Sequence, residues 1–261
     1  MAAMFGFTIK KAFFDLWDNF LTVMLINLGF LIVLTVPFLL APAASNVNVV
    51  LGLVTLAVGI GVAFLYLGGA SEIAATIVDF KTPEWRQFWP AVKKNAPASV
   101  IIAGITVVHA LLLSVAMPVY WQMANLFSLF ALAMIFWMSV LWWLAAQYYF
   151  PVRTRLDSAI PKVLKKSLIL FFDNAGFTLV LGIATLITAA ISMFTAFLIP
   201  GIGGILIFHQ VGARLRLKKY DYLEENPEED RKGIPWDALL YDDRERVGKR
   251  TLRGMIFPWK E

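Results

Sequence analysis

The sequence predicts an all-α membrane protein with six transmembrane helices, and three observations carry that prediction. Apolar runs of spanning length recur along the chain, and the basic residues are confined to alternate connections between them. One short pattern of basic, apolar and Asn residues also appears three times, each time just ahead of an outgoing apolar run.

Composition sets the class. The 261 residues are 59% hydrophobic and 16% charged, with a mean hydropathy of +0.72. A soluble domain carries roughly 25% charged residues, so a water-exposed fold is disfavoured. Cysteine is absent, which removes disulfides, thiolate nucleophiles and Cys-based metal sites. The net charge of +5 belongs, in so apolar a chain, to lipid headgroups rather than nucleic acid.

A span needs about 20 apolar residues. The run 21–40 meets this, with fourteen Leu, Ile, Val or Phe. At roughly 0.3–0.6 kcal/mol each, they favour insertion by about 4–8 kcal/mol before costs. Further spans read as 49–67, 98–117, 126–146 and 177–198. A sixth, 201–213, is short and holds four glycines, so it depends on close packing against its neighbours. The first run also resembles a secretory signal ending at Ala41-Pro42-Ala43. It is too long for a signal core of about 7–15 residues, and Asp15 and Asp18 interrupt the basic leader.

All 23 Lys and Arg lie before span one, between spans two and three, between four and five, at 214–219, or in the tail. The alternate connections, APAASNVN, PVYWQMAN and the turn at Pro200-Gly201, carry no charge. The positive-inside rule then places both termini in the cytoplasm of a prokaryotic plasma (inner) membrane. Tyr120 and Trp121 suit an outer aromatic belt, and Tyr148, Tyr149 and Phe150 an inner one.

The threefold pattern aligns on Asn19, Asn95 and Asn174, which are 76 and 79 residues apart. Ten, six and three positions before each Asn stand Ile9, Phe13 and Leu16; Trp85, Trp89 and Val92; Leu164, Leu168 and Phe171. These gaps place them on one helical face. Lys10, Arg86 and Lys165 fall off that face. Each copy therefore predicts an amphipathic interfacial helix, with Lys10, Lys11, Arg86, Lys165 and Lys166 toward headgroups. The Asn residues are expected to cap the spans that follow. The unit is interfacial helix, span out, uncharged turn and span back, repeated in parallel over approximately 7–80, 83–156 and 160–220.

The Lys-Lys/apolar/Asn opening, the FWPAVKKN segment and YYFPVRTRL followed by LKKSLILFFDN resemble the YesL-like family of bacterial polytopic membrane proteins over roughly 7–220. The resemblance implies a small multi-pass protein of unestablished function, associated with carbohydrate-uptake ABC transporter components. It implies no catalytic residues.

Polar residues inside spans are the default functional candidates. They are Asn27, His109 and His209, and they suit either a solute or proton path or hydrogen bonds between helices. No Asp, Glu, Lys or Arg lies deep in a span, which argues against ion coupling. Glu72 is expected at the inner interface, paired with Lys or Arg. No zinc-protease, nucleotide-binding or hydrolase motif occurs, so no enzyme activity, cofactor or metal is expected. Residues 1–220 form the membrane domain. The tail, 221–261, has 19 charged residues in 41 and should not bury a core of its own. Its Trp236, Phe257 and Trp259 are docking anchors, either on another membrane complex or on the bundle's own cytoplasmic face. The expected function is an integral membrane accessory, scaffolding or regulatory protein. The alternative is a small-solute transporter or channel using the intramembrane polar residues. Membrane lipids are the expected partners, and no oligomeric state follows.

Overall fold

A computed structural model describes residues 2–156, 159–228 and 233–250, and all regular structure among them is helical. Five segments are long and apolar enough to cross a membrane: Phe20–Val47, Val49–Val78, Trp85–Met123, Leu126–Leu156 and Ala175–Phe194.

The first hairpin is helix α2 (Phe20–Val47) and α3 (Val49–Val78), preceded by α1 (Ala2–Asp18). At 1.5 Å per residue both arms are over 40 Å long, against a hydrocarbon core of about 30 Å. They therefore tilt or project beyond it. The uncharged connection expected at 41–48 is mostly helix, and the chain turns only at Asn48. Pro37 and Pro42 sit inside α2 without ending it.

The second hairpin starts with a 3-10 turn (Trp85–Gln87) and α4 (Phe88–Leu111). A π-turn (Leu112–Ala116) leads to α5 (Met117–Met123), then α6 (Leu126–Ala146) and α7 (Tyr149–Leu156). Pro118 has no N–H for the carbonyl four residues back and its ring crowds that turn, so the local widening relieves it. Outward-facing apolar side chains such as Trp121, Phe127, Phe130 and Trp137 are exposed, as lipid contact requires.

Helix α8 (Ile160–Asp173) leads into α9 (Ala175–Phe194), and α10 (Gly201–Glu225) returns. Although α10 is the least apolar of the long helices, it packs against α1, α2, α3, α7 and α9. Its glycines make this possible. Gly201 has φ +57°, and a Cβ there would lie 2.4 Å from the Asn27 side chain. Short helices α11 (Trp236–Leu239) and α12 (Tyr241–Val247) complete the described chain, with α12 against α1.

Candidate functional site

Asn27 is 1% exposed, and its bonding is nearly complete. Its Nδ2 donates to the carbonyls of Leu198 and Pro200, each at 2.8 Å. Its Oδ1 accepts from the Gly203 N–H at 2.7 Å. Pro200 precedes α10 and offers no capping side chain, so Asn27 caps that helix from across the bundle. His209 meets the Thr185 hydroxyl at 2.9 Å, and Thr185 reaches Gln147 Oε1 at 3.5 Å. His109 is half-buried on α4 and joins neither group. The three polar candidates are thus not one constellation. Two cavities beside the spans are lined mainly by apolar side chains: about 250 Å³ among Asn27, Phe30, Leu34 and Ile205, and about 300 Å³ among Val36, Leu40 and Val58.

The three aligned Asn residues do not cap as expected. Asn19 and Asn174 stand just before α2 and α9, yet neither side chain accepts from the following helix. Each turns backward, donating to the carbonyl of Asp15 (2.9 Å) or Leu170 (3.0 Å) and so closing the preceding helix. Asn95 lies inside α4 with no hinge. It is buried against Gly68, donating to the Gly68 carbonyl at 3.1 Å and to Glu72 Oε2 at 3.3 Å. Glycine at position 68 lets α4 approach closely, since a Cβ would lie 2.4 Å from Ser99 Oγ. Besides Asn27, two side chains cap helix starts at the far turns. Asn48 accepts from the Val50 N–H at 2.7 Å, and Asn125 forms a reciprocal box with Ser128. An Asn directly before an apolar run was the available signal at both positions.

The proposed headgroup cations divide. Arg86 and Lys165 are exposed, whereas Lys166 is half-buried. Lys10 donates to the Gly248 carbonyl at 2.9 Å. Lys11 does not face headgroups: it is 0% exposed, ion-paired to Asp15 at 2.8 Å and set 3.6 Å over the Phe80 ring. The reason is a second helical face. Met4, Phe7, Thr8, Lys11, Phe14 and Asp15 all turn inward, while Ile9 and Trp17 stay exposed. Burial pushes the Asp15 carboxyl up to about 6 against the pull of Lys11, and burial likewise lowers Lys11. Tyr148 and Tyr149 are also not belt residues. Both are buried, with Tyr148 Oη 2.8 Å from Thr178 Oγ1 and Tyr149 donating to the Ala98 carbonyl at 2.8 Å. Glu72 pairs with Lys94 at 3.1 Å, a basic partner of the kind expected for it.

A polar network lies where α3, α7, α10 and α12 meet. Asp79 ends α3 and pairs with Arg155 at 3.0 Å and with Arg214. Arg155 Nε donates to Gln210 Oε1 at 3.0 Å, and Gln210 Nε2 donates to Ser71 Oγ and Thr154 Oγ1. Arg214 also pairs with Asp243 of α12 at 3.0 Å, and Lys218 reaches the same carboxylate at 2.7 Å. Burial would raise the Asp243 carboxyl, but the Lys218 hydrogen bond and the Arg214 charge outweigh it and hold it low. Burial opposes Asp79 in the same way, and Arg155 and Arg214 bring it below its ordinary value.

These pairs dock the first part of the tail on its own bundle. Leu240 and Val247 are fully buried, Trp236 packs on the core and on Arg216, and Arg250 pairs with Asp18 at 2.9 Å. For Trp236 this is the home-docking alternative of the two the sequence left open; Leu240 and Val247 carried no such signal, because they are isolated apolar residues between charges. Phe257 and Trp259 lie outside the described residues. No protein-family model, curated protein or solved structure matches the chain.

Proposed function

We propose that the chain is an accessory, scaffolding or regulatory component of another membrane complex and performs no chemistry of its own. In this reading it spans the inner membrane six times, in three parallel repeats with both termini cytoplasmic, and α10 is the sixth span. The observation that carries the reading is where the intramembrane polar groups are spent. Asn27 locks α2 to the start of α10, and His209 ties α10 to α9, so neither is free to line a solute path. A transporter built on Asn27, His109 and His209 requires them around one polar chamber, and the three lie apart. The resemblance to the YesL-like family extends the proposal to carbohydrate-uptake ABC systems.

With Trp236 engaged at home, Phe257 and Trp259 are the remaining anchors for a partner. The test is purification of the full chain from its native membrane in mild detergent, beside the double variant Phe257→Ala/Trp259→Ala. A stoichiometric membrane protein should co-elute with the wild type and be lost from the variant without a change in unfolding temperature. Purification of the chain alone, together with solute counterflow in proteoliposomes, would establish the transporter instead.

A further inference from the structure

A cavity of about 400 Å³ opens where α8 passes into α9, roofed by Trp236 and Ile234 from the docked tail. Its floor is the start of α9, at Ala175, Gly176 and Phe177. A helix start presents N–H groups with no partner in their own helix and the positive end of its dipole. Among the described residues no side chain caps this one, because the Asn174 amide is turned away to Leu170 and Tyr220.

The second feature is Arg216. It is 6% exposed, lines the cavity, and its Nε has no hydrogen-bond partner. Its guanidinium lies 4.1 Å from the Phe177 ring and 5.5 Å from the Trp236 ring, and no carboxylate pairs with it among the described residues. Aromatic faces offset only part of the cost of burying such a cation. Lys219 is 8% exposed on the same wall. Among the described residues the carboxylate lining the cavity is that of Asp173, which Lys219 engages at 2.9 Å and the Tyr220 hydroxyl at 2.5 Å.

We infer that this cavity binds a phosphate-bearing anion, held by the Arg216 guanidinium and the free N–H groups that open α9. Guanidinium and helix-start amides are the two groups best shaped for phosphate oxygens. Two sources share this chemistry: the headgroup of an anionic phospholipid and free phosphate. The depth favours the lipid, because Ala175 is the first residue of an apolar segment of spanning length. The site is independent of the accessory role proposed above.

The test uses the full chain in mild detergent, with inorganic phosphate and phosphatidylglycerol as separate probes and phosphatidylcholine as the neutral control. Binding is read by unfolding temperature and by native mass spectrometry. Phosphatidylglycerol, phosphate or both should stabilise the wild type, and the responding probe names the source. Arg216→Met should weaken that binding about tenfold or more. Ala175→Asp places a fixed carboxylate at the helix start, and should suppress binding while leaving the ligand-free protein at least as stable. It decides the matter if Arg216→Met fails to fold. Lack of response to both anionic probes, or wild-type affinity in a folded variant, would overturn the inference.

Discussion

Replacing Asn27 by Ala removes three hydrogen bonds at once and leaves the Gly203 N–H uncapped at a buried helix start. Interhelical hydrogen bonds in membranes average about 0.6 kcal/mol, and buried bonds in general reach about 1.5 kcal/mol. Three of them together give a loss of about 2–4 kcal/mol. A chain of this size loses about 2–4 °C per kcal/mol, so the unfolding temperature should fall by at least about 4 °C. Asn27→Asp keeps an acceptor for Gly203 but turns a buried carboxylate oxygen onto the Leu198 and Pro200 carbonyls, so it should destabilise at least as much as Ala. The assay is thermal unfolding in detergent, with helix content and α10 labelling as readouts. An Asn27→Ala protein unfolding within about 1 °C of wild type would refute the locking role.

Other perturbations separate the remaining contacts. Asp15→Asn strands Lys11 in the interior and should cost about 3–5 kcal/mol, whereas Lys11→Met/Asp15→Leu should be nearly neutral; chemical unfolding of both checks this. Trp236→Ala should destabilise the bundle by about 1–3 kcal/mol and expose 233–250 to protease, in contrast to Trp259→Ala, if the first anchor docks at home. Asp243 has a depressed folded pKa, so its stabilisation is present above the ordinary carboxylate value and is lost as pH falls through the lower folded one. Protection of the tail should therefore be the same at about pH 7 and about pH 5, disappearing only in stronger acid; proteolysis at each pH measures it.

Much of the helical plan was legible because a span needs only a long apolar run, and the five long apolar segments advertise themselves. Helix α10 was harder. Its glycines and cationic second half lower its hydropathy, and only its central packing shows why a weakly apolar helix is kept. Lys11 illustrates another limit. A Lys among basic neighbours reads as headgroup-facing, yet Asp15 one turn later was a sign that the pair could be buried together. Capping was misassigned for a related reason: Asn before a helix can bond forward to an N–H or backward to a carbonyl, and the residue type is the same. Asn27 acts on Gly203, 176 positions away, and no local pattern announces such a contact. The Asp79–Arg155–Arg214–Asp243 network has the same character, each member an ordinary charge in its own segment.

The most direct test concerns α10, whose crossing decides on which side the charged end and the tail lie. The chain has no cysteine, so single cysteines at Ser45, Gln122, Lys162 and Glu228 report without background. All four positions are exposed in the fold. An impermeant thiol reagent applied to intact cells should label Ser45→Cys and Gln122→Cys only, with Lys162→Cys and Glu228→Cys reacting after permeabilisation. Labelling of Glu228→Cys from outside, with Lys162→Cys still protected, would mean that α10 does not cross, and would contradict the six-span account.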